Sequence, residues 1–298
     1  MNAILLAWGT PVFVDIEADT LNLDARLIAA AVSPRTRAVL PVHYAGQPCD
    51  LDAIAAAAPG ARLIEDAAHA VGATYRGRPI GGIGAAAIFS FHPIKNITTG
   101  EGGMITTADD ALAKRMRGLR FHGVERDAWR AYGHAQVPLY DVTEPGLKYN
   151  LSDIQSAIGL HQLRKLSALN AERERLARRY DVALAALPAL RPLGKAAYPH
   201  RHAHHLYVVR LEHERLRVDR NGFMAAVIDA GIGLGLHFIA VHELTYYRQR
   251  LGDLRSALPV ATDASHRIFS LPLFPGLADA EQDRVVDVLA AVLKETAR

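Results

Sequence analysis

Two acid-base side chains stand close together in the segment RLIEDAAHAVG, residues 62–72. An apolar run ends at Asp66, and His69 follows three residues later. The carboxyl ends of parallel strands form the edge at which α/β folds hold their ligands. A strand ending at Asp66 would place its carboxylate at that edge. The alternative is that Asp66 only caps the turn that follows, as aspartate often does.

A lysine and a hydroxyl side chain occupy a second segment, AIFSFHPIKNITTGEGG at residues 87–103. Its first residues resemble a strand, and Ser90, His92 and Lys95 lie where that strand leads into a turn, ahead of a glycine-rich stretch. An amine among apolar neighbours loses solvation of its charged form, so its pKa falls and it can act as a nucleophile. The alternative is an ordinary surface lysine after a strand.

An acid and a lysine at two strand ends suit one kind of cofactor. A pyridinium ring needs an acidic partner at its nitrogen, and the aldehyde on that ring needs a lysine amine. Asp66 and Lys95 supply this pair. The two segments together therefore predict a site for pyridoxal 5'-phosphate.

The elements that must position these residues follow an α/β pattern. Apolar runs rich in β-formers alternate with Ala-rich segments up to about residue 108, which is typical of a mainly parallel sheet with helices on both faces. Two helices are each expected to begin at a capping aspartate. The predicted strands are 11–14, 38–42, 62–65, 86–91 and 103–107, and the predicted helices are 50–58 and 109–120.

The second half of the chain has a different pattern. Residues 122–148 lack periodicity and predict a long loop. Apolar residues at helical spacing then predict one long helix, followed by a smaller α/β unit and two or three final helices. The predicted elements are a helix at 152–187, a strand at 205–211, a helix at 221–230 and a strand at 233–238. We expect a cofactor-binding domain at 1–150, a connecting helix at 151–190 and a small C-terminal α/β domain at 191–298.

Four motifs resemble those of the DegT-type, or StrS-like, nucleotide-sugar aminotransferases, and they occur in the family's order. They are EDAAHAVGA at 65–73, SFHPIKNITTGEGG at 90–103, KYNLSDIQSAIGLHQL at 148–163 and SLPLFPGL at 270–277. The resemblance covers essentially the whole chain. It is closest to the UDP-4-amino-4-deoxy-L-arabinose oxoglutarate aminotransferase branch, through VHYAGQPCDLDAI, FHGVERDAW, LKYNLSD and GIGLGLHF.

The resemblance implies fold type I of the pyridoxal-phosphate-dependent transferases and a homodimer with shared active sites. Lys95 would bind the cofactor covalently and carry the proton between the substrate and cofactor carbons. Asp66 would pair with the pyridinium nitrogen, and His69 would lie beside the ring hydroxyl. Ser90 would donate to the phosphate, and Asn150 would reach the phosphate of the partner subunit's cofactor.

The reaction implied by this resemblance is transfer of an amino group from glutamate, which leaves as 2-oxoglutarate, to the keto carbon of a nucleotide-linked sugar, expected to be a 4-keto sugar. Relatives that dehydrate sugars have histidine where this chain has Lys95, which favours transamination. Two alternatives are a catalytically degenerate homologue that keeps the fold and dimerises without cofactor, and another pyridoxal-phosphate reaction such as sugar deamination.

Full-length relatives carry a further N-terminal segment. It supplies a phosphate-binding loop at a helix N-terminus and an aromatic ring that stacks on the pyridine. Neither feature is recognisable here, and Trp8 falls too late to replace the ring. We therefore expect a truncated chain that binds the phosphate less tightly and exposes apolar sheet surface.

Several other polar residues are candidates for binding. His237 follows a predicted strand and could line the substrate pocket or serve the structure, and His92 and Arg267 are further pocket candidates. The cluster HRHAHH at 200–205 suggests a metal site. However, His204 and its neighbour would point to opposite faces of a strand, so we predict none.

Composition excludes several classes of protein. The 298 residues include 34 basic and 31 acidic side chains spread along the chain, so no basic tract indicates nucleic acid. No apolar stretch is long enough to span a bilayer, and the start lacks the features of a secretory signal. The one cysteine, Cys49, cannot form an internal disulfide, which is typical of the reducing cytoplasm.

Overall fold

The computed structural model describes residues 1–125 and 141–298. Its strands are β1 (Ala38–Val39), β2 (Arg62–Asp66), β3 (Thr74–Tyr75), β4 (Arg78–Pro79), β5 (Ala86–Ser90), β6 (Gly103–Thr106), β7 (Val124–Glu125), β8 (Asp141–Val142), β9 (Leu190–Pro192), β10 (His200–Arg201), β11 (Tyr207–Leu211) and β12 (Ile268–Leu271). Its helices are α1 (Asn2–Leu6), α2 (Ala25–Ala31), α3 (Leu51–Ala57), α4 (Asp110–Leu119), α5 (Asp153–Leu184), α6 (Arg220–Asp229), α7 (Thr245–Leu251), α8 (Pro259–Arg267) and α9 (Asp279–Thr296).

A four-stranded sheet in the order β1-β2-β5-β6 organises the first part of the chain. Strands β1, β2 and β5 are parallel, and β6 is antiparallel to β5. A second sheet, β12-β11-β9, is antiparallel, and β10-β3-β4 and β7-β8 are small antiparallel ribbons. The fold is therefore mixed α/β with a parallel-containing sheet, as the sequence predicts.

The two faces of the four-stranded sheet have different surroundings. One face carries Ala87 and Phe89, which pack in a buried cluster with Ile28 and Ile54 of helices α2 and α3. On the other face, a row in register across the four strands contains Val42, Asp66, Ile88 and Ile105. The three apolar members of this row are 38–47% exposed. Asp66 thus lies on a sheet face with exposed apolar surface.

The largest apolar cluster lies around the antiparallel sheet. It combines residues of β11 and β12 with residues of helices α5, α6 and α9. Phe223 and Phe269 are fully buried at its centre, with ring centroids 5.8 Å apart. Burial of a side chain of this size contributes about 1.5–3 kcal/mol. This cluster provides a rigid support for the residues that precede β11.

Most of the predicted elements are confirmed. The strands at 62–65, 86–91 and 103–107 and the helices at 50–58, 109–120, 152–187 and 221–230 are present with small shifts of their ends. Asp50 and Asp109 accept hydrogen bonds from the first turns of α3 and α4. Ser152 and Gln155 form a capping box at the start of α5.

Three predictions of strands need correction. Residues 11–14 and 233–238 are not strands, and the nearest pairings are isolated bridges, Ile16 to Leu23 and Gly235 to Ser270. The strand predicted from residue 205 begins at Tyr207, and His204 has a positive φ of 45°. The argument from strand alternation against a metal site therefore does not apply there.

The predicted loop at 122–148 has paired ends, because β7 and β8 form an antiparallel ribbon. The motif FHGVERDAW begins at Phe121, and its last four residues lie outside the described part of the chain. The division at 1–150, 151–190 and 191–298 stays a prediction.

Candidate active site

Asp66 is fixed by the main chain on both sides. Its N–H donates to the carbonyl of Pro41 at 2.9 Å, and its carbonyl accepts from the N–H of His43 at 3.1 Å. The carboxylate Oδ1 accepts from the N–H of Ala68 at 3.1 Å. Within residues 1–125 and 141–298, no group donates to Oδ2. One carboxylate oxygen is therefore available for a ligand.

The preceding residue, Glu65, is anchored on the opposite face of the sheet. Its side chain is fully buried, with Oε2 at 3.0 Å from Nε2 of His43 and Oε1 accepting from the N–H of Gly84 at 2.7 Å. The N–H of Cys49 donates to Nδ1 of His43, so the histidine hydrogen lies on Nε2. These contacts fix the carboxyl end of β2 in place.

Lys95 lies in the turn after β5 and is half-buried. Burial lowers the pKa of its amine, and the nearby Asp66 carboxylate acts in the opposite direction. The structure gives its Nζ no hydrogen bond or ion pair with any described residue. The amine and the carboxylate that the sequence places at separate strand ends therefore lie near enough to interact electrostatically.

Three histidines surround this lysine. Burial is the main cause that lowers the pKa of each, and the Lys95 charge adds to it; for His69 the pKa falls to about 3. His69 and His205 are in ring contact, with centroids 4.4 Å apart. His237 is hydrogen bonded through Nδ1 to the Ser270 hydroxyl at 2.9 Å. All three are therefore neutral at physiological pH and act as polar, uncharged groups.

A cavity of about 230 Å³ opens beside this group. His205, His237 and Ser270 line it, together with Ile94, the residue before Lys95. Its remaining walls come from Leu206, Gly233 and Gly235 and from residues 271–273. Such a space is apolar in part and lined by a few polar groups, as small-molecule sites are, but it is smaller than the roughly 300–1,000 Å³ typical of them.

Buried amides join this cavity to the long helix. Asn96 donates through Nδ2 to Oδ1 of Asn170 at 2.8 Å and to the carbonyl of Ala203 at 2.7 Å, while its Oδ1 lies 3.1 Å from Nδ1 of His205. The sequence reasoning did not identify these residues. Nothing local in the sequence marks Asn96 as buried, and the cluster HRHAHH suggests only a metal site.

Ser90 and His92, two further predicted site residues, have different surroundings. Ser90 lies two residues beyond Ile88 on the face that carries Asp66, and its Oγ accepts weakly from the N–H of His92 at 3.4 Å. The His92 ring is 45% exposed and lies 3.8 Å from a Glu101 oxygen, outside the cavity lining. Ser90 is thus placed on the same face as Asp66.

Two predicted residues lie away from the cavity. Arg267 is paired with Glu214 and with Asp263, the latter at 2.6 Å, so its charge is already compensated. Asn150 is exposed before α5, where it accepts a hydrogen bond from Lys148. The single chain does not bring Asn150 to its own Lys95.

Two kinds of feature are absent from the described residues. Neither residues 1–125 nor 141–298 contain a group of three histidine, cysteine or acidic side chains placed to hold a metal ion. No helix in these same ranges is long and apolar enough to cross a membrane.

The described groups fit a pyridoxal ring. A carboxylate with a free oxygen, a half-buried amine of lowered pKa and a neutral imidazole, His69, lie together, and Nδ1 of His69 is a buried atom without a partner. A pyridinium nitrogen, an aldehyde and a ring hydroxyl need groups of these three types.

Comparison with known proteins supports this interpretation. Residues 1–290 match the model of the DegT/DnrJ/EryC1/StrS aminotransferase family. Streptococcus pneumoniae Spr1654, assigned as a sugar aminotransferase and solved in PLP-form and PMP-form, is similar in structure. The PMP-form has a TM-score of 0.90 at 30% identity, over 99% of this chain and 78% of that one.

Two further solved structures are similar. S. venezuelae DesV has a TM-score of 0.85 at 34% identity, over 97% of this chain and 75% of that one. Helicobacter pylori PseC, an aminotransferase involved in the biosynthesis of pseudoaminic acid, has a TM-score of 0.90 at 27% identity, over 99% of this chain and 76% of that one.

The fold and the site define a pyridoxal-phosphate-dependent aminotransferase. The chain belongs to the DegT/DnrJ/EryC1/StrS aminotransferase family. The solved structures that it resembles include sugar aminotransferases.

Proposed function

We propose that the protein transfers an amino group from glutamate to the keto carbon of a nucleotide-linked 4-keto sugar and releases 2-oxoglutarate. The observation that carries this proposal is Lys95, a half-buried amine of lowered pKa that faces Asp66 beside a cavity. The resemblance to the UDP-4-amino-4-deoxy-L-arabinose oxoglutarate aminotransferase branch supports the choice of sugar.

Each proposed role follows from the chemistry of the side chain. The free oxygen of Asp66 would pair with the pyridinium nitrogen and keep it protonated. Lys95 would bind the cofactor covalently, then take a proton from the substrate carbon and return it as the positioned acid-base group. His69 would hold the ring hydroxyl, and Ser90 would donate to the phosphate. When bound, pyridoxal phosphate supplies the electron sink for carbanion chemistry.

The cavity supports a sugar substrate. His237 is neutral and its ring orientation is fixed by Ser270, so its other nitrogen would be a defined partner for a sugar hydroxyl. His92, 45% exposed near Glu101, would contact only the outer part of a large substrate. Arg267 is occupied by Glu214 and Asp263, and for that reason we assign it no contact with substrate.

We further propose a homodimer with shared sites. The first turns of α5 and the residues before them carry exposed apolar side chains, among them Ile154 at 78% and Tyr149 at 75%. A contiguous exposed apolar patch is typical of an interface. Asn150 lies within this patch, where it would reach the partner subunit's cofactor. The one cysteine, Cys49, is buried and free, which supports a cytoplasmic location.

The test is an absorption spectrum of the purified chain after incubation with pyridoxal phosphate. We expect a visible band that is absent from Lys95→Ala, present in the surface control Lys294→Ala, and bleached by glutamate. Mass spectrometry should then find an aminated product after a nucleotide-linked 4-keto sugar is added. Absence of the band in folded protein would refute the proposal and favour the degenerate homologue.

A further inference from the structure

A single turn, Tyr44–Gly46, connects the four-stranded sheet to the cavity wall. His43, the residue before the turn, donates its N–H to the carbonyl of Asp66 at 3.1 Å. On the other side, the carbonyl of Ala45 accepts from the N–H of His205 at 2.9 Å, and His205 lines the cavity. The turn is therefore bonded both to the strand that carries the acid and to the wall of the cavity.

The main chain of this turn is tightly packed. Ala45 and Gly46 have positive φ angles of 56° and 101°, and Ala45 is 2% exposed. A Cβ atom at Gly46 would lie 2.8 Å from the carbonyl oxygen of His69, so the turn packs directly against that residue and glycine is needed there. A buried turn with bonds on both sides is a rigid base for the side chain at its start, Tyr44.

The Tyr44 hydroxyl donates to the carbonyl of His237, which lies on the cavity wall. A carbonyl oxygen can only accept, and burial raises the pKa of the Tyr44 hydroxyl, so the tyrosine keeps the hydrogen that it donates. The Tyr44 ring packs against a buried apolar cluster that includes Val208 and Ile268. The hydroxyl is thus held in place as a donor to this carbonyl.

The main chain at His237 has few other anchors. Residues 236–239 belong to no helix or strand, and this segment is hydrogen bonded at its two ends, through Gly235 and Ala240. Between these ends, the Tyr44 hydroxyl is the only group in the described part of the chain that hydrogen bonds to the main chain. The position of His237 therefore depends on Tyr44.

We propose that Tyr44 is a positioning residue for the substrate, because it holds the carbonyl of His237 and so sets the place of that imidazole relative to Asp66. Tyr44 directly follows His43, whose N–H binds Asp66, so adjacent residues hold the two sides of the site. Ser270 holds the imidazole of His237 while Tyr44 holds its carbonyl. Under the proposed function, on which this inference rests, the link aligns a sugar hydroxyl at His237 with the cofactor ring at Asp66.

The link should matter for the sugar and not for the amino donor. In the proposed function the His237 imidazole contacts a sugar hydroxyl, a group that glutamate lacks. Loss of the link should cost this contact, so KM for the sugar should rise about threefold to tenfold, the effect of one hydrogen bond. In contrast, kcat, KM for glutamate and Kd for pyridoxal phosphate should change by less than about twofold.

The first experiment compares Tyr44→Phe, which keeps the ring and loses the hydroxyl, with Tyr246→Phe, a control at a tyrosine that is 56% exposed. KM is measured for a nucleotide-linked 4-keto sugar and for glutamate. The same change is then made in His237→Ala, which keeps the main-chain carbonyl but has no imidazole. There Tyr44→Phe should cause no further rise in KM for the sugar, because it acts through that imidazole.

The second experiment detects the hydrogen bond itself in the cofactor-free protein. His237 and Phe238 form the only His-Phe pair in the sequence. Labelling histidine with ¹³C at the carbonyl and phenylalanine with ¹⁵N therefore gives one peak in a carbonyl–amide correlation spectrum. A donor at the oxygen deshields the carbonyl carbon, so Tyr44→Phe should move the His237 resonance upfield, and Tyr246→Phe should leave it in place.

Three results would each overturn the inference. They are an unchanged His237 carbonyl resonance in Tyr44→Phe, an equal rise in KM for glutamate and for the sugar, and additive effects of Tyr44→Phe and His237→Ala. Failure of the proposed function has a different sign, because the parent protein would then form no cofactor band. In that case the carbonyl resonance alone decides whether Tyr44 holds His237.

Discussion

At the residue scale, the site depends on the balance between burial and charge at Lys95. Arginine at this position would keep a positive charge but would not give up its proton. We therefore expect Lys95→Arg to lose covalent cofactor binding and to lower turnover by about 10²-fold to 10⁴-fold or more. Borohydride reduction followed by intact-mass measurement checks this, with Lys294→Arg as the control. Retention of the cofactor mass in Lys95→Arg would contradict the assignment.

Asp66 should control the pH at which Lys95 becomes reactive. Burial lowers the pKa of Lys95, and the Asp66 carboxylate raises it part of the way back. Asp66→Asn removes the opposing charge, so the pKa should fall further and more amine should be unprotonated at a given pH. The pH midpoint for labelling of Lys95 by an amine-reactive reagent, read by peptide mass spectrometry, should move down. The exposed control Asp229→Asn should leave it unchanged, and an upward shift would exclude the proposed pairing.

The sequence predicted some of these residues and not others for a physical reason. Asp66 ends one strand, and Lys95 follows the neighbouring strand of the same sheet. The pairing of these two strands is therefore enough to bring their carboxyl ends to the same edge. His205 reaches Asn96 across 109 positions of the chain, and that contact depends on where the turn before β11 packs. No local pattern marks such a pairing, so only the three-dimensional structure shows it.

At the element scale, the end of β2 is held by the buried pair of Glu65 and His43. Glu65→Ala would leave the N–H of Gly84 and Nε2 of His43 without an acceptor. Leaving two buried donors without an acceptor in this way costs about 1–3 kcal/mol for each donor. Chemical denaturation of the cofactor-free chain should show a loss of this order. Glu65→Gln keeps one of the two bonds and should lose less, and Glu172→Ala, at an exposed pair with Arg175, should resemble the parent.

The errors in predicted strands also have a physical explanation. Residues 11–14 and 233–238 have β-forming composition but only isolated bridges beside them, and composition cannot supply a neighbouring strand. Strand β12 was not predicted, because only helices were expected after residue 238, yet Ile268 to Leu271 pair fully with β11. Helices were predicted better, because caps such as Ser152 and Asp109 act locally.

At the scale of the whole molecule, helix α5 connects the exposed surface to the site. Six side chains along its later half are buried, and two of them, Asn170 and Arg173, bind the carbonyls of Val71, His205 and Leu273. Its first turns expose Ile154 and Leu163 instead. A helix that packs on the core along one half but only exposes apolar side chains along the other is typical of a segment covered by a partner, which supports the proposed homodimer.

A matched pair of substitutions on this helix tests the dimer. Ile154 and Val182 are both 78% exposed, but Ile154 lies in the proposed interface and Val182 lies near the opposite end. Ile154→Asp would place a charge in an apolar interface and should shift the protein toward monomer, whereas Val182→Asp should not. Sedimentation velocity measures the change. Equal behaviour of the two variants would place the interface elsewhere.

Subunit mixing tests whether the two sites share residues. Lys95→Ala should destroy the site on its own subunit, and Asn150→Ala should damage the site of its partner, so each variant alone should have little activity. In a mixed dimer, the intact Lys95 of one subunit would meet the intact Asn150 of the other, giving one complete site. Random exchange at equal amounts should restore about a quarter of the parent activity, because half of the dimers are mixed and each has one working site. No recovery in verified mixed dimers would mean that Asn150 does not act across the interface.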